Sequence, residues 1–172
     1  MRRKLFTLSA VAALLVDQAS KLIALIFLPE GMPVNAISHF VRFVRTRNPD
    51  GIFGLQFGPQ FIYFILPLLG MALVIYFAIR TKECWYHLSY GLVLGGALGN
   101  LIDRIRLGYV VDFIDVGLKN WRWYTFNPAD GFVVIGVILL LYLELFWARH
   151  RRAEADAEPV EGVTGGADIP RQ

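Results

Sequence analysis

The chain has 172 residues, enough for one domain, and 56% of them are hydrophobic while only 18% are charged. A soluble domain carries roughly 45–50% apolar and about 25% charged residues, so a mean hydropathy of +0.50 points to lipid as the solvent. The formal charge of +3 is spread over scattered basic residues, which argues against nucleic acid as a partner, and the lone Cys84 excludes an internal disulfide and a cysteine-rich metal site.

A spanning helix needs about 20 mostly apolar residues. The first such stretch runs from Leu5 to Leu28 and is interrupted by Asp17 and Lys21. An MRRK start before an apolar run also describes a cleavable export signal. Its only small-x-small step, Ala10 to Ala12, comes after too few apolar residues, and the run continues well past it, which favours a retained helix. Phe61 to Ile79 carries no charge, and Cys84 to Ile102 lacks Asp, Glu, Lys and Arg. Gly131 to Ala148 is the fourth stretch, with Glu144 near its end. The expected fold class is an all-α membrane protein, a four-transmembrane-helix bundle over residues 1–150. Residues 151–172, rich in Ala, Glu, Gly and Pro, are expected to form a disordered cytoplasmic tail without chemistry.

Lys and Arg set the orientation. Arg2, Arg3 and Lys4 precede the first span, Arg80 and Lys82 separate the second from the third, and Arg149, Arg151 and Arg152 follow the fourth. Both termini are therefore expected in the cytoplasm, although the longer outer loops also hold arginines. The first outer loop contains HFVRFVRTRN, which suits a small β-like segment lying at the outer membrane surface. The second, Leu107 to Asp130, contains Trp121, Trp123 and Tyr124, which alone reads as an interfacial anchor.

Charge inside a membrane costs about 2.5–3.5 kcal/mol per residue and needs a reason. Asp17 and Lys21 share one helical face about 6 Å apart along the axis; they are either a neutralising pair that fixes helix packing or part of a site. Gly91, Gly95 and Gly99 form a stripe that admits a neighbouring helix. It leads into Asn100, Asp103 and Arg104, an amide, a carboxylate and a guanidinium able to close a hydrogen-bond network at the membrane boundary. Asp112 and Asp130 lie beyond, in apolar surroundings. Brought together they would share a proton, one acting as general base on water while the other polarises a scissile carbonyl. Taken singly, Asp112 could be a turn residue and Asp130 a helix N-cap. There is no HExxH or G-x-S-x-G, and His39, His87 and His150 are scattered, so neither a zinc site nor a serine nucleophile is indicated.

The string GGALGNLIDRIRLGYVVDFID, from Gly95 to Asp115, resembles the signature of the lipoprotein signal peptidases (signal peptidase II), a family of bacterial intramembrane aspartyl peptidases. TFNPAD, from Thr125 to Asp130, resembles their F-N-x-A-D motif, and DQASK, from Asp17 to Lys21, their first-helix motif. The resemblance covers about Leu5 to Trp147. It implies an aspartic endopeptidase that cleaves diacylglyceryl-modified prolipoproteins just before the lipidated cysteine, at the outer face of the bacterial cytoplasmic membrane. It further implies Asp112 and Asp130 as the catalytic pair, with Asn48, Asn100, Asp103, Arg104, Asn127, Asp17 and Lys21 as the substrate-binding and supporting shell. No cofactor or metal is implied; the partners are the lipidated substrate and membrane lipid, and the chain is expected as a monomer. NPDGIFG, from Asn48 to Gly54, departs from the family's N-x-G-x-A-F-G: Asp50 stands where Gly is usual and Ile52 where Ala is.

Two other classes fit parts of the pattern. A transporter would also use intramembrane charges, but paired repeats or broken helices are not evident. A membrane scaffold would explain the glycine stripe and the aromatics, yet gives no reason for so many Asp and Asn residues at one membrane face.

Overall fold

The computed structural model describes residues 2–49, 58–118 and 121–157. The element order is α1 (Arg2–Phe27), β1 (Val34–Ile37), β2 (Val41–Asn48), α2 (Ile62–Arg80), α3 (Cys84–Leu107), β3 (Val110–Leu118), β4 (Trp121–Arg122) and α4 (Pro128–Ala157). Each expected apolar stretch is a helix. Three of them, Arg2–Phe27, Ile62–Arg80 and Pro128–Trp147, are long and apolar enough to cross a membrane. Their outward faces expose Leu15, Ile23, Leu69, Ile79, Leu141 and Leu145, which only a hydrocarbon surrounding makes sense of.

α3 is the less apolar helix because glycines and the Asn100–Arg104 turn dilute it. It is also the helix the others gather round, packing chiefly on α1 and α4 and more lightly on α2. The glycine stripe explains the approach. A Cβ on Gly95 would run into the carbonyl oxygen of Ala10, and one on Gly99 into the carboxylate of Asp17, so both positions face α1, the first at backbone distance. Gly96, one residue off the stripe, meets Ala129 and Val133 of α4 instead.

The sheet is larger than the first outer loop alone would make. Four antiparallel strands run in the order β1-β2-β3-β4, so the second outer loop supplies half of it. The Asp112 position is a strand residue, not a turn: β2 and β3 pair with Thr46 opposite Asp112 and Arg42 opposite Asp115, across a bulge between Phe43 and Thr46. The end of α1 packs beneath this sheet, where Ala24, Val111 and Phe113 form a core lined by Leu25, Leu28, Phe43 and Ile114. Asp115 pins the far side. It accepts hydrogen bonds from Arg42 Nε and Nη2 at 2.9 and 2.6 Å and from Arg122 Nε at 2.6 Å.

α4 begins three residues earlier than expected, at Pro128, and extends to Ala157. Residues 151–157 therefore continue the helix instead of starting a disordered tail. Their sequence, RRAEADA, is mostly strong helix former, and it adds turns to a helix already nucleated in the bundle. The remainder of that tail, 158–172, and the loop positions Asp50, Gly51, Ile52, Phe53 and Gly54 lie outside the described residues.

Candidate active site

Three local devices converge at one end of α3. The helix stops at Gly108, whose φ of 81° is left-handed and whose N–H reaches Arg104 O at 3.0 Å. That reversal starts β3 at once, and Asp103 Oδ2 accepts the Val111 N–H at 3.1 Å to hold the strand against the helix end. Phe126 then pairs with Ile114, its N–H donating to Ile114 O at 3.0 Å, which brings the following residue, Asn127, alongside Asp112.

The α4 N-terminus is a capping box. Asn127 Oδ1 accepts the Asp130 N–H at 3.1 Å, and Asp130 Oδ2 accepts the Asn127 N–H at 3.2 Å. Pro128 has no N–H to satisfy, and the Ala129 N–H goes to Asp17 Oδ1 on α1 at 3.0 Å. The N-cap is thus Asn127. Asp130 sits three residues inside the helix and still presents its other oxygen, Oδ1, to Asn100 Nδ2 at 2.8 Å.

Asp112 is 3% exposed. Its Oδ1 accepts from Asn127 Nδ2 at 2.6 Å and its Oδ2 from Asn48 Nδ2 at 2.8 Å. Asn127 is hydrogen-bonded to both carboxyl groups, through its side-chain amide to Asp112 and through its backbone to Asp130. Burial, and after it the charge of Asp130, push the Asp112 carboxyl up to about 7, against the opposing pull of Asn48, Asn127 and Lys21. Three residues along the same strand the balance reverses. Burial acts upward on Asp115 too, but the hydrogen bonds and charges of Arg122 and Arg42 outweigh it and hold that carboxyl below the usual range. One strand therefore carries a carboxyl that keeps its proton near neutrality and another that loses it readily.

Behind the pair lies a buried ionic layer. Lys21, 2% exposed, uses all three ammonium donors: Asp17 Oδ2 at 3.0 Å, Asp103 Oδ2 at 2.9 Å and Asn100 Oδ1 at 2.9 Å. Asn100 Oδ1 also accepts from Asn127 Nδ2 at 3.1 Å. Lys21, Asn100 and Asp130 therefore form one chain of hydrogen bonds. Arg104 Nη1 reaches Asn100 O at 3.5 Å, and its guanidinium acts electrostatically on Asp130, Asp112 and Asp103.

All nine residues singled out from the sequence, Asp17, Lys21, Asn48, Asn100, Asp103, Arg104, Asp112, Asn127 and Asp130, fall in this one network. Two others join it that sequence reasoning passed over. Gln18 Nε2 bridges Asp17 Oδ2, Gly99 O and Asp103 Oδ1 at 3.1, 3.2 and 3.3 Å. Thr46 Oγ1 donates to the backbone carbonyl of Asp112 at 3.2 Å, clamping the strand at that residue. An uncharged amide inside an apolar span was the available signal for Gln18. Thr46, half-buried in a strand, gave none.

The arrangement suits general acid–base hydrolysis: two carboxyls hydrogen-bonded to one residue, one raised toward neutrality, with a fixed cation layer behind them. Residues 9–146 match the sequence profile of the family described as Signal peptidase (SPase) II. Among curated relatives, the lipoprotein signal peptidase of Thermodesulfovibrio yellowstonii is 36% identical over 141 residues, covering 81% of this chain and 93% of that one. The lipoprotein signal peptidase of Coxiella burnetii is 38% identical over 138 residues, covering 77% and 84% respectively. A bacterial membrane enzyme structure determined by the in meso method at 1.9 Å resolution superposes with a TM-score of 0.74 at 32% identity, over 81% of this chain and 92% of that one.

Proposed function

The chain belongs to the signal peptidase II family, and from that membership we propose how its buried carboxyl pair carries the family's reaction. It is a membrane-embedded peptidase that removes signal peptides from bacterial prolipoproteins. Asp112 and Asp130 are the catalytic residues. They hold one proton between them, because burial and the charge of Asp130 raise the Asp112 carboxyl to about 7.

The ionised member takes a proton from a water as its oxygen adds to the scissile carbonyl carbon. The protonated member donates to the carbonyl oxygen and stabilises the charge that develops there. As the tetrahedral intermediate collapses, the proton taken from water passes to the amine nitrogen while the C–N bond breaks, and the carboxylate that had protonated the carbonyl oxygen takes that proton back as the C=O re-forms, so the pair again holds one proton. Asn127 and Asn100 hold the carboxyls, and Asn48 on the sheet holds Asp112 from the other side.

The substrate is a diacylglyceryl-modified precursor, cut before its lipidated cysteine. Its acyl chains place the scissile bond at a membrane boundary, which is where the sheet and the outer ends of α3 and α4 meet. α3 is the fourth span. At 24 residues and about 1.5 Å per residue it is longer than the roughly 30 Å hydrocarbon core, and α1 and α4 shield its polar end from lipid. The basic residues at the opposite end then put both termini in the cytoplasm of the bacterial inner membrane, the pair at the outer face, and the chain works as a monomer. The observation that carries this reading is Asn127, one residue bound to both carboxyl groups.

The test is cleavage of a diacylglyceryl-modified prolipoprotein peptide by the purified protein in detergent, beside its unlipidated twin and an Asp130→Asn variant. Cleavage of the lipidated peptide alone, abolished in a folded Asp130→Asn protein, is expected. Retained turnover in that variant removes Asp130 from the chemistry.

A further inference from the structure

At the end of the bundle opposite the carboxyl pair, α2, α3 and α4 line an open cavity of about 370 Å³, within the roughly 300–1,000 Å³ of small-molecule sites. It lies roughly 20 Å along α3 from Asn100, counting Tyr86 to Asn100 at about 1.5 Å per residue. We infer that this cavity binds the phosphoethanolamine headgroup of a membrane phospholipid, a site separate from the peptidase chemistry.

The lining supplies both halves of a zwitterion site. Arg80 ends α2, Glu83 is the residue before α3, and Glu144 projects from α4. Among the described residues, no ion pair joins these three charged groups to one another or to any other side chain. Arg80 rests its guanidinium 5.2 Å from the Tyr76 ring centroid, which steadies it at the rim with its N–H edges available for a phosphate. Glu144 is held by the Tyr86 hydroxyl, which donates to Oε1 at 3.1 Å. That bond orients the carboxylate without neutralising it. A carboxylate on the outer surface of a spanning helix is costly to leave uncompensated, and a primary ammonium supplies the missing charge together with N–H donors for both glutamates.

The remaining walls favour the same ligand. Tyr86 and Tyr90 stand with ring centroids 6.3 Å apart, and Trp147 closes the site from α4. Aromatic faces beside carboxylates are the usual surroundings of a bound ammonium. The flanking surface is apolar and exposed, with Ile79 on α2 and Leu145 on α4 open to the surroundings, so acyl chains attached to the headgroup would lie in lipid contact with no further accommodation. An anionic headgroup lacking an amine fits poorly, because the cavity lining would offer it two carboxylates and one guanidinium.

Native mass spectrometry of the full-length protein in detergent, titrated with phosphatidylethanolamine or with phosphatidylglycerol of the same acyl chains, tests this. Retention of phosphatidylethanolamine about tenfold above phosphatidylglycerol is expected, with Glu144→Gln and Arg80→Gln each lowering it about tenfold. Cleavage of the lipidated peptide should stay at the wild-type level in both variants, which shows them folded and separates this site from the carboxyl pair. Should Glu144→Gln fail to fold, the exposed Glu83→Gln carries the same expectation. Equal retention of the two lipids, or unchanged retention in the folded variants, overturns the site. Soluble O-phosphoethanolamine at the same concentration should not displace the lipid; displacement at parity overturns the lipid assignment.

Discussion

Asn127 Nδ2 stands 2.6 Å from Asp112 Oδ1 while Asn127 Oδ1 caps the first turn of α4, so one side chain both starts a helix and holds a buried carboxyl. The two duties separate by substitution. Asn127→Ala removes the cap, at about 0.5–2 kcal/mol, along with the bond to Asp112. Asn127→Ser keeps a good capping hydroxyl but is too short to reach Asp112. We expect Asn127→Ala to lower both the thermal midpoint and the cleavage rate, and Asn127→Ser to recover the midpoint while cleavage stays roughly a hundredfold down. Full activity in the serine variant would make the Asn127–Asp112 bond irrelevant to turnover.

The raised Asp112 carboxyl gives two pH signatures with defined signs. The proposed mechanism requires one proton on the pair, and with Asp112 raised to about 7 it predicts that kcat/KM falls about tenfold per pH unit above that point. For stability, Asp112 binds its proton more tightly folded, at about 7, than unfolded, at 3.8. Its contribution is therefore fully present below about 4 and lost as pH rises through 7. Asp112→Asn cannot lose a proton, so its thermal midpoint relative to wild type should be higher at pH 8 than at pH 5. An unchanged difference between the two pH values would show that Asp112 is ionised throughout.

Much of this site was open to sequence reading, and the part that was not has identifiable causes. Asp17 and Lys21 announce themselves as charges where lipid forbids them, Asp103 belongs to a polar turn at the membrane boundary, and the glycine stripe states which face of α3 meets a partner. The strand carrying Asp112 is harder. Val110–Leu118 is buried on both faces through most of its length, and each face holds one aspartate, Asp112 with Ile114 on one side and Asp115 with Phe113 on the other. Apolar and polar residues then fail to alternate, and the period-two signal vanishes. That β2 would pair with a strand more than sixty residues away, as Thr46 does with Asp112, is a long-range choice that local pattern does not encode. Gln18 escaped notice because a neutral amide adds no charge to its span, yet it bridges the two acids that Lys21 serves.

Gly99 leaves room for Asp17 and nothing else. A methyl group there would meet the Asp17 carboxylate, pulling it from Ala129 N–H and from Lys21 together. Gly99→Ala should cost about 1–3 kcal/mol and reduce cleavage more than its stability loss explains, because the α4 N-terminus that carries Asp130 shifts with Asp17. Gly70 of α2 has open space around it, so Gly70→Ala should be neutral or stabilising by up to about 1 kcal/mol. Thermal midpoints and cleavage rates of the two variants side by side check this; matching behaviour would mean that Gly99 serves only helix approach.

Lys21 satisfies two buried carboxylates and one amide with three N–H donors, and 2% exposure leaves no water to replace it. Lys21→Met fills a similar volume but strands Asp17 and Asp103 near each other without the ammonium that bridges them. Breaking a buried ion pair this way costs about 3–5 kcal/mol, so the single variant should unfold at a markedly lower temperature. Adding Asp17→Asn removes one stranded charge, and the amide oxygen still accepts the Ala129 N–H, so the double variant should regain part of that loss. Cleavage should not return with it, since Asn100 Oδ1 has lost the ammonium that fixes its amide toward Asp130. Thermal melts and peptide cleavage on the wild type, the single and the double variant decide the matter. Recovery of stability and activity together would reduce Lys21 to a packing element, and recovery of stability alone makes it the residue that aims Asn100 at Asp130.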